Sequence, residues 1–146
     1  YHIIYNKRLK DRVLKESSLC HYNSMNVLSM HALMGAYTPE GQEWVGELRE
    51  VIGENVAYAC DYIDKHFEGV SVTRPQGTYM LFLDCAAWLQ EHHMTLRELE
   101  ERGARAGVIW QDGAAFAWPD SIRMNLALPH SRLVEAMEHL RVHAFC

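Results

Sequence analysis

Thr78-Tyr79-Met80-Leu81-Phe82-Leu83-Asp84 decides the fold of this chain. The stretch is aromatic and aliphatic, too short for a typical helix, and entered through Arg74-Pro75-Gln76-Gly77, so it reads as a strand that follows a turn. It is apolar on both faces, which predicts a central place in a sheet. The residues before it have a different period. Thr38-Pro39 supplies a capping residue and then a proline at the first helical position. From there Trp44, Leu48, Val51, Ile52, Ala59 and Ile63 form a nearly continuous apolar side, which predicts a long helix ending near His66. Val70-Ser71-Val72 is the short strand at which the period changes.

Working outward, Tyr1 to Tyr5 reads as a strand and Lys7 to Leu19 as a charged helix with Leu9, Val13 and Leu14 on one side. Asn23 or Ser24 can cap the next helix, which runs to about Tyr37. Downstream, helices are expected over Ala86 to Glu91 and Thr95 to Ala106. Thr95 and Glu98 have the capping-box spacing, and Gly107 suits a C-terminal cap. Val108 to Gln111 and Ile122 to Leu126 read as strands, with a turn at Asp112-Gly113. Pro129 and Ser131 open a last helix whose apolar face is Leu133, Ala136, Met137 and Leu140. Strands that come in pairs with short turns predict an α/β chain of the α+β kind: a small, mainly antiparallel sheet covered by helices, the long one lying across it.

Composition narrows the function classes. At 146 residues, 49% apolar and 23% charged, the chain suits one soluble globular domain. A net charge of −5 without a Lys/Arg cluster argues against a nucleic-acid partner. No apolar run approaches ~18 residues, so no membrane span is expected. No signal peptide is visible, and Cys20, Cys60, Cys85 and Cys146 form no C-x-x-C pair, so free thiols in the cytoplasm are the expectation. The chain starts with Tyr1 inside an apolar run, which reads as a piece of a longer protein.

The chemistry concentrates on one cation. Arg123 interrupts the apolar run Ser121-Ile122-Arg123-Met124-Asn125-Leu126-Ala127-Leu128-Pro129. A half-buried guanidinium needs an anionic or hydrogen-bonding partner. The nearest acid, Asp120, sits in the preceding turn. Two readings stand: an arginine reaching solvent or a structural acid, and a clamp for a carboxylate outside the chain, which the guanidinium fork fits with two parallel hydrogen bonds. Other candidates carry less. His139 and His143 have helical metal-ligand spacing but no third ligand, His92-His93 is non-specific, and nothing orients His21 beside Cys20. No metal site is expected. Lys7, Lys10, Lys15 and Lys65 lie in charged stretches, unlike a Schiff-base lysine, which is desolvated or close to other cations. Gly103, Gly107 and Gly113 form no phosphate loop. Trp110 and Trp118 flank the Asp112-Gly113 turn, where one of them can face a ligand.

Three ordered segments resemble a known family. Gly41-Gln42-Glu43-Trp44 with Asn55, then Arg74 to Asp84, then Gly107 to Gly113 followed by Ile122-Arg123-Met124-Asn125-Leu126-Ala127-Leu128-Pro129, resemble pyridoxal-phosphate enzymes of the MalY/PatB type. These belong to the class I and II aminotransferases of fold type I. The resemblance covers nearly the whole chain and implies the C-terminal portion of such an enzyme, with 1–37 connecting to a missing large domain and 38–146 as the small domain. It implies that Arg123 binds the α-carboxylate of an amino-acid substrate. It further implies pyridoxal 5'-phosphate in the parent enzyme, a homodimer, and α,β-elimination on cystathionine or a similar sulfur amino acid, with transamination as the alternative. The imine lysine and the cofactor-holding groups are absent from the matched segments, so the fragment itself is expected to bind no cofactor, to contain no catalytic residue and to be inactive. Between Gly113 and Arg123 the chain is shorter than many relatives, which leaves substrate preference open. A non-catalytic α/β interaction module is the reading from another class.

Overall fold

A computed structural model of the chain describes residues 3–20 and 26–146. These fall into two compact units, Tyr1–Val45 and Gly46–Cys146. The first holds helix α1 (Lys7–Cys20), helix α2 (Val27–Ala36) and the start of helix α3 (Pro39–His66). Each helix start is closed by a side chain. Asn6 Oδ1 accepts from Leu9 N at 2.9 Å, Asn26 Oδ1 from Ser29 N at 2.9 Å, and Thr38 Oγ1 from Gly41 N at 3.2 Å. Neither α1 nor α2 buries a residue. In α2 the apolar Val27, Leu28, Met30, Leu33 and Met34 are all exposed.

The second unit is built on a four-stranded sheet in the order β1-β2-β4-β3, with β1 Ser71–Val72, β2 Met80–Asp84, β3 Gln111–Asp112 and β4 Ser121–Asn125. Every neighbouring pair is antiparallel. In β2 and β4 the alternation selects one core face: Leu81 opposes Met124 and Leu83 opposes Ile122, and all four are buried. Against them pack Ile63 of α3 and Phe67 just beyond its end, Trp88 of α4 (Ala86–Glu91), Leu99 of α5 (Leu96–Arg105), and Leu133, Met137 and Leu140 of α6 (His130–His143). Burying each such side chain is worth about 1.5–3 kcal/mol. The expected antiparallel sheet covered by helices is therefore present.

Local signals placed several boundaries. Thr95 Oγ1 accepts from Glu98 N while Glu98 accepts from Thr95 N at 2.8 Å, the reciprocal box its spacing predicts. Gly107 takes φ +85° after α5, a left-handed stop that suits glycine.

Two expectations need correction. Ile3 to Tyr5 form no strand, because β-propensity alone does not supply a partner; Tyr1 and His2 lie outside the described residues. Val108 to Gln111 is not a strand over its length. Val108 N donates to Gly103 O at 2.9 Å to close α5, and only Gln111 and Asp112 join the ladder. β2 is central, as its two apolar faces predict: Leu81 and Leu83 lie in the core, and Met80 and Phe82 are half-buried on the other face. The predicted caps Asn23 and Ser24 lie outside the described residues, and α2 as described is capped by Asn26.

Candidate carboxylate-binding site

Arg123 follows from the alternation of β4. With Ile122 and Met124 committed to the core, residue 123 must point to the opposite sheet face. Its Cα partners are Phe82 on β2 and Gln111 on β3, so the three side chains form a row across the sheet. Arg123 Nη1 donates to Gln111 Oε1 at 2.8 Å. The guanidinium carbon lies 4.5 Å from the centroid of the Phe116 ring, a cation–π contact. Among the described residues no carboxylate lies within 4.0 Å of it, Asp120 included. Arg123 is thus held by a neutral amide and a ring, with its charge uncompensated by any described acid.

The segment after β3 supplies the aromatic wall. Asp112 Oδ1 accepts from Ala114 N at 2.7 Å and starts a 3₁₀ turn over Gly113–Phe116. Gly113 is required by close packing. A Cβ there would collide with Ser121 Oγ and lie 2.7 Å from Trp118 O. Ser121 Oγ, in turn, donates to Trp118 O at 2.7 Å and ties the loop down. The loop brings Phe116 edge-on to Phe82, with centroids 5.6 Å apart, and lays Trp118 parallel to Phe82 at 5.9 Å. Phe116 and Trp118 remain 46% and 43% exposed, so the wall beside Arg123 is open.

Behind the site, Asn55 is fully buried on α3. Its Nδ2 donates to Leu126 O at 2.9 Å and Leu128 O at 2.8 Å, and its Oδ1 lies 3.0 Å from His130 Nδ1. With both amide hydrogens committed, the remaining bond needs a proton on His130 Nδ1. This one side chain satisfies the carbonyls of the segment that leaves β4 for α6. The motif position Asn55 therefore has a physical role, anchoring the strand that carries Arg123.

The other candidates do not join the site. Trp110 packs its ring against Gly103, where a Cβ would lie 2.5 Å from it, and its buried indole nitrogen has no partner among the described residues. Of the two flanking tryptophans it is Trp118 that lies on the Arg123 face. His139 Nδ1 sits 3.1 Å from Ala106 O, and no cluster of metal-ligating side chains occurs among the described residues. Cys60 and Cys85 are buried, and burial pushes the Cys85 thiol up to about 12, so it is inert at neutral pH. Cys20 is exposed, with its thiol on Glu16 O, and His21 lies outside the described residues. All four lysines are exposed. No helix among the described residues is long and apolar enough to cross a membrane. Sequence reading missed Gln111 and Phe116, because only the cross-strand register and the 3₁₀ turn bring them to Arg123.

No family model matches the chain. It is 31% identical over 103 residues to a "Putative cystathionine beta-lyase" of Mycobacterium leprae, covering 70% of this chain and 24% of that protein. It is 26% identical over 110 residues to a "Probable aspartate/prephenate aminotransferase" of Aquifex aeolicus, covering 75% of this chain and 28% of that protein. Its fold is similar to that of a PLP-bound C-S lyase from Staphylococcus hominis, with a TM-score of 0.78, 24% identity, and coverage of 96% of this chain and 36% of that one. The chain thus spans about a quarter of the curated relatives it matches. Sequence and fold both liken the chain to the pyridoxal-phosphate-dependent aminotransferases and C–S lyases of fold type I, whose C-terminal portion it fits.

Proposed function

We propose that this chain is the C-terminal domain of a pyridoxal-phosphate-dependent enzyme acting on amino acids, and that Arg123 takes the substrate's α-carboxylate. The observation that carries the reading is an arginine on an open sheet face with no acid partner among the described residues. Residues 38–146 serve as the small domain and 1–37 lead to the domain that precedes it.

The chain's own residues do not fit the cofactor. Its lysines are exposed on α1 and at the end of α3, with Lys7 paired to Asp11 at 2.8 Å, unlike a desolvated imine lysine. The cofactor supplies an electron sink for bonds at Cα, and the described residues offer no group of the kind that would hold it. Arg123 binds and orients. Fixing the carboxylate fixes how the substituents at Cα point.

The reaction proposed for the parent is α,β-elimination on a sulfur amino acid such as cystathionine, which releases a thiol, ammonia and a keto acid. The Mycobacterium leprae relative's name supports this reading. Transamination is the second reading, supported by the name of the Aquifex aeolicus relative. Thiol and ammonia release, measured against keto-acid-dependent amino transfer, separates the two.

The deciding experiment replaces Arg123 by Ala in the full-length enzyme. KM is expected to rise and kcat/KM to fall by about two to four orders of magnitude, the scale of two lost charge-assisted hydrogen bonds of roughly 1.5–3 kcal/mol each. An unchanged kcat/KM would assign the carboxylate to another group. Turnover by the 146-residue chain alone would overturn the domain reading.

A further inference from the structure

We infer that Gln111 is a charge-sparing positioning residue, which sets the direction from which a carboxylate can reach Arg123 without neutralising it. The inference rests on the reading of Arg123 as the carboxylate-binding group.

A guanidinium has five N–H donors in a fixed plane and can meet a carboxylate through two parallel bonds. Here one donor is already assigned, since Nη1 bonds to Gln111 Oε1 at 2.8 Å. The guanidinium carbon lies over the ring of Phe116, 4.5 Å from its centroid. Among the described residues, Nε and Nη2 have no acceptor. They lie together on the edge of the fork that Nη1 does not share. That edge is the bidentate position left for an incoming carboxylate. The pairing also fixes rotation of the guanidinium, so the edge is presented before the ligand arrives, and less ordering is required at binding.

The chemical identity of residue 111 matters for charge. An acid at the cross-strand position would make the same hydrogen bond and become an internal carboxylate for Arg123. The glutamine amide accepts the bond and carries no charge. Arg123 is therefore oriented as if it were ion-paired while its full attraction remains for a ligand. Gln111 is exposed and belongs to a strand of two residues, so nothing in the packing of the core demands this side chain.

The test uses the full-length enzyme with Gln111→Glu and Gln111→Ala, assayed with an amino-acid substrate and with its carboxamide analogue. Gln111→Glu is expected to raise KM for the acid about tenfold, the effect of roughly 1.4 kcal/mol, with kcat little changed. KM for the uncharged carboxamide should stay within about twofold, as should the thermal midpoint; a general fold defect would move both. Gln111→Ala should raise KM for the acid only a few-fold, since orientation is lost but charge is kept. Equal KM values for the wild type and Gln111→Glu would overturn the inference. If Arg123→Ala still impairs the same enzyme, that failure belongs to Gln111 alone. If Arg123→Ala also has no effect, the carboxylate reading itself falls.

Discussion

The two units differ sharply in what their helices bury. The end of α3 places Asn55, Val56, Ala59, Cys60 and Ile63 inside a core, whereas α1 and α2 bury nothing. Both kinds of helix are well capped, so capping does not account for the difference. Helices of 14 and 10 residues are close to the length at which an isolated helix is marginal in water, and most helical stability in proteins comes from packing an apolar face. α2 is apolar all round and yet wholly exposed. Such a helix has the composition of a buried element without the burial. Propensity and caps define where these helices run, but among the described residues only the second unit contains the contacts that make a helix costly to lose.

The widest expected contrast comes from equal truncations in the two units. Leu81→Ala, fully buried on β2, should lower stability by about 2–5 kcal/mol, measured by denaturant unfolding of the chain. Leu28→Ala, on exposed α2, should change it by less than about 0.5 kcal/mol in the same assay. Equal losses at the two positions would mean that the first unit has a core of its own.

A smaller effect is expected at Asn55. Replacing it by Ala strands the carbonyls of Leu126 and Leu128 and the donor of His130, at about 1–3 kcal/mol for an unsatisfied buried group. Amide exchange should then accelerate over β4 and the start of α6 but not over α1. Uniform acceleration would show that Asn55 supports the whole unit and not this segment.

The smallest effect is a pH dependence confined to the second unit. Tyr62 on α3 donates to Glu138 on α6 at 2.5 Å, and Arg141 donates to the same carboxylate. The hydrogen bonds from Arg141 and then Tyr62 hold the Glu138 carboxyl down to about 2. Its folded value lies below the ordinary one, so its contribution is present above about 4.5 and is lost as the pH falls towards 2. Because the group is exposed, the loss should be slight. Glu138→Gln should flatten the thermal midpoint between those pH values; an unaltered slope would assign the acid sensitivity elsewhere. Burial, followed by the Glu138 contact, pushes the Tyr62 phenol up to about 12. That contribution is full below the ordinary value of 10 and fades as the pH rises from there to about 12.

The elements legible in the sequence were those written in local rules. Thr38-Pro39, the Thr95–Glu98 box and Gly107 each depend on neighbours a few residues away, and each lies where its spacing predicts. Arg123 was legible for a related reason, as a charge that interrupts an apolar run. The remaining features depended on distant residues. Gln111 meets Arg123 only through the β3–β4 register, and Asn55 meets Leu126 across 71 positions. Ile3 to Tyr5 show the converse, a stretch with strand propensity and no partner strand.

The amide of Asn55 has one further consequence. Within the second unit it couples residues 46–66 of α3, about 31 Å of helix, to the last link of the strand that bears Arg123. A turn of that helix about its own axis would drag the Leu126–Leu128 segment with it, as a shaft turns a gear. The two hydrogen bonds from Asn55 therefore join this stretch of α3 to the segment that leaves the Arg123 strand.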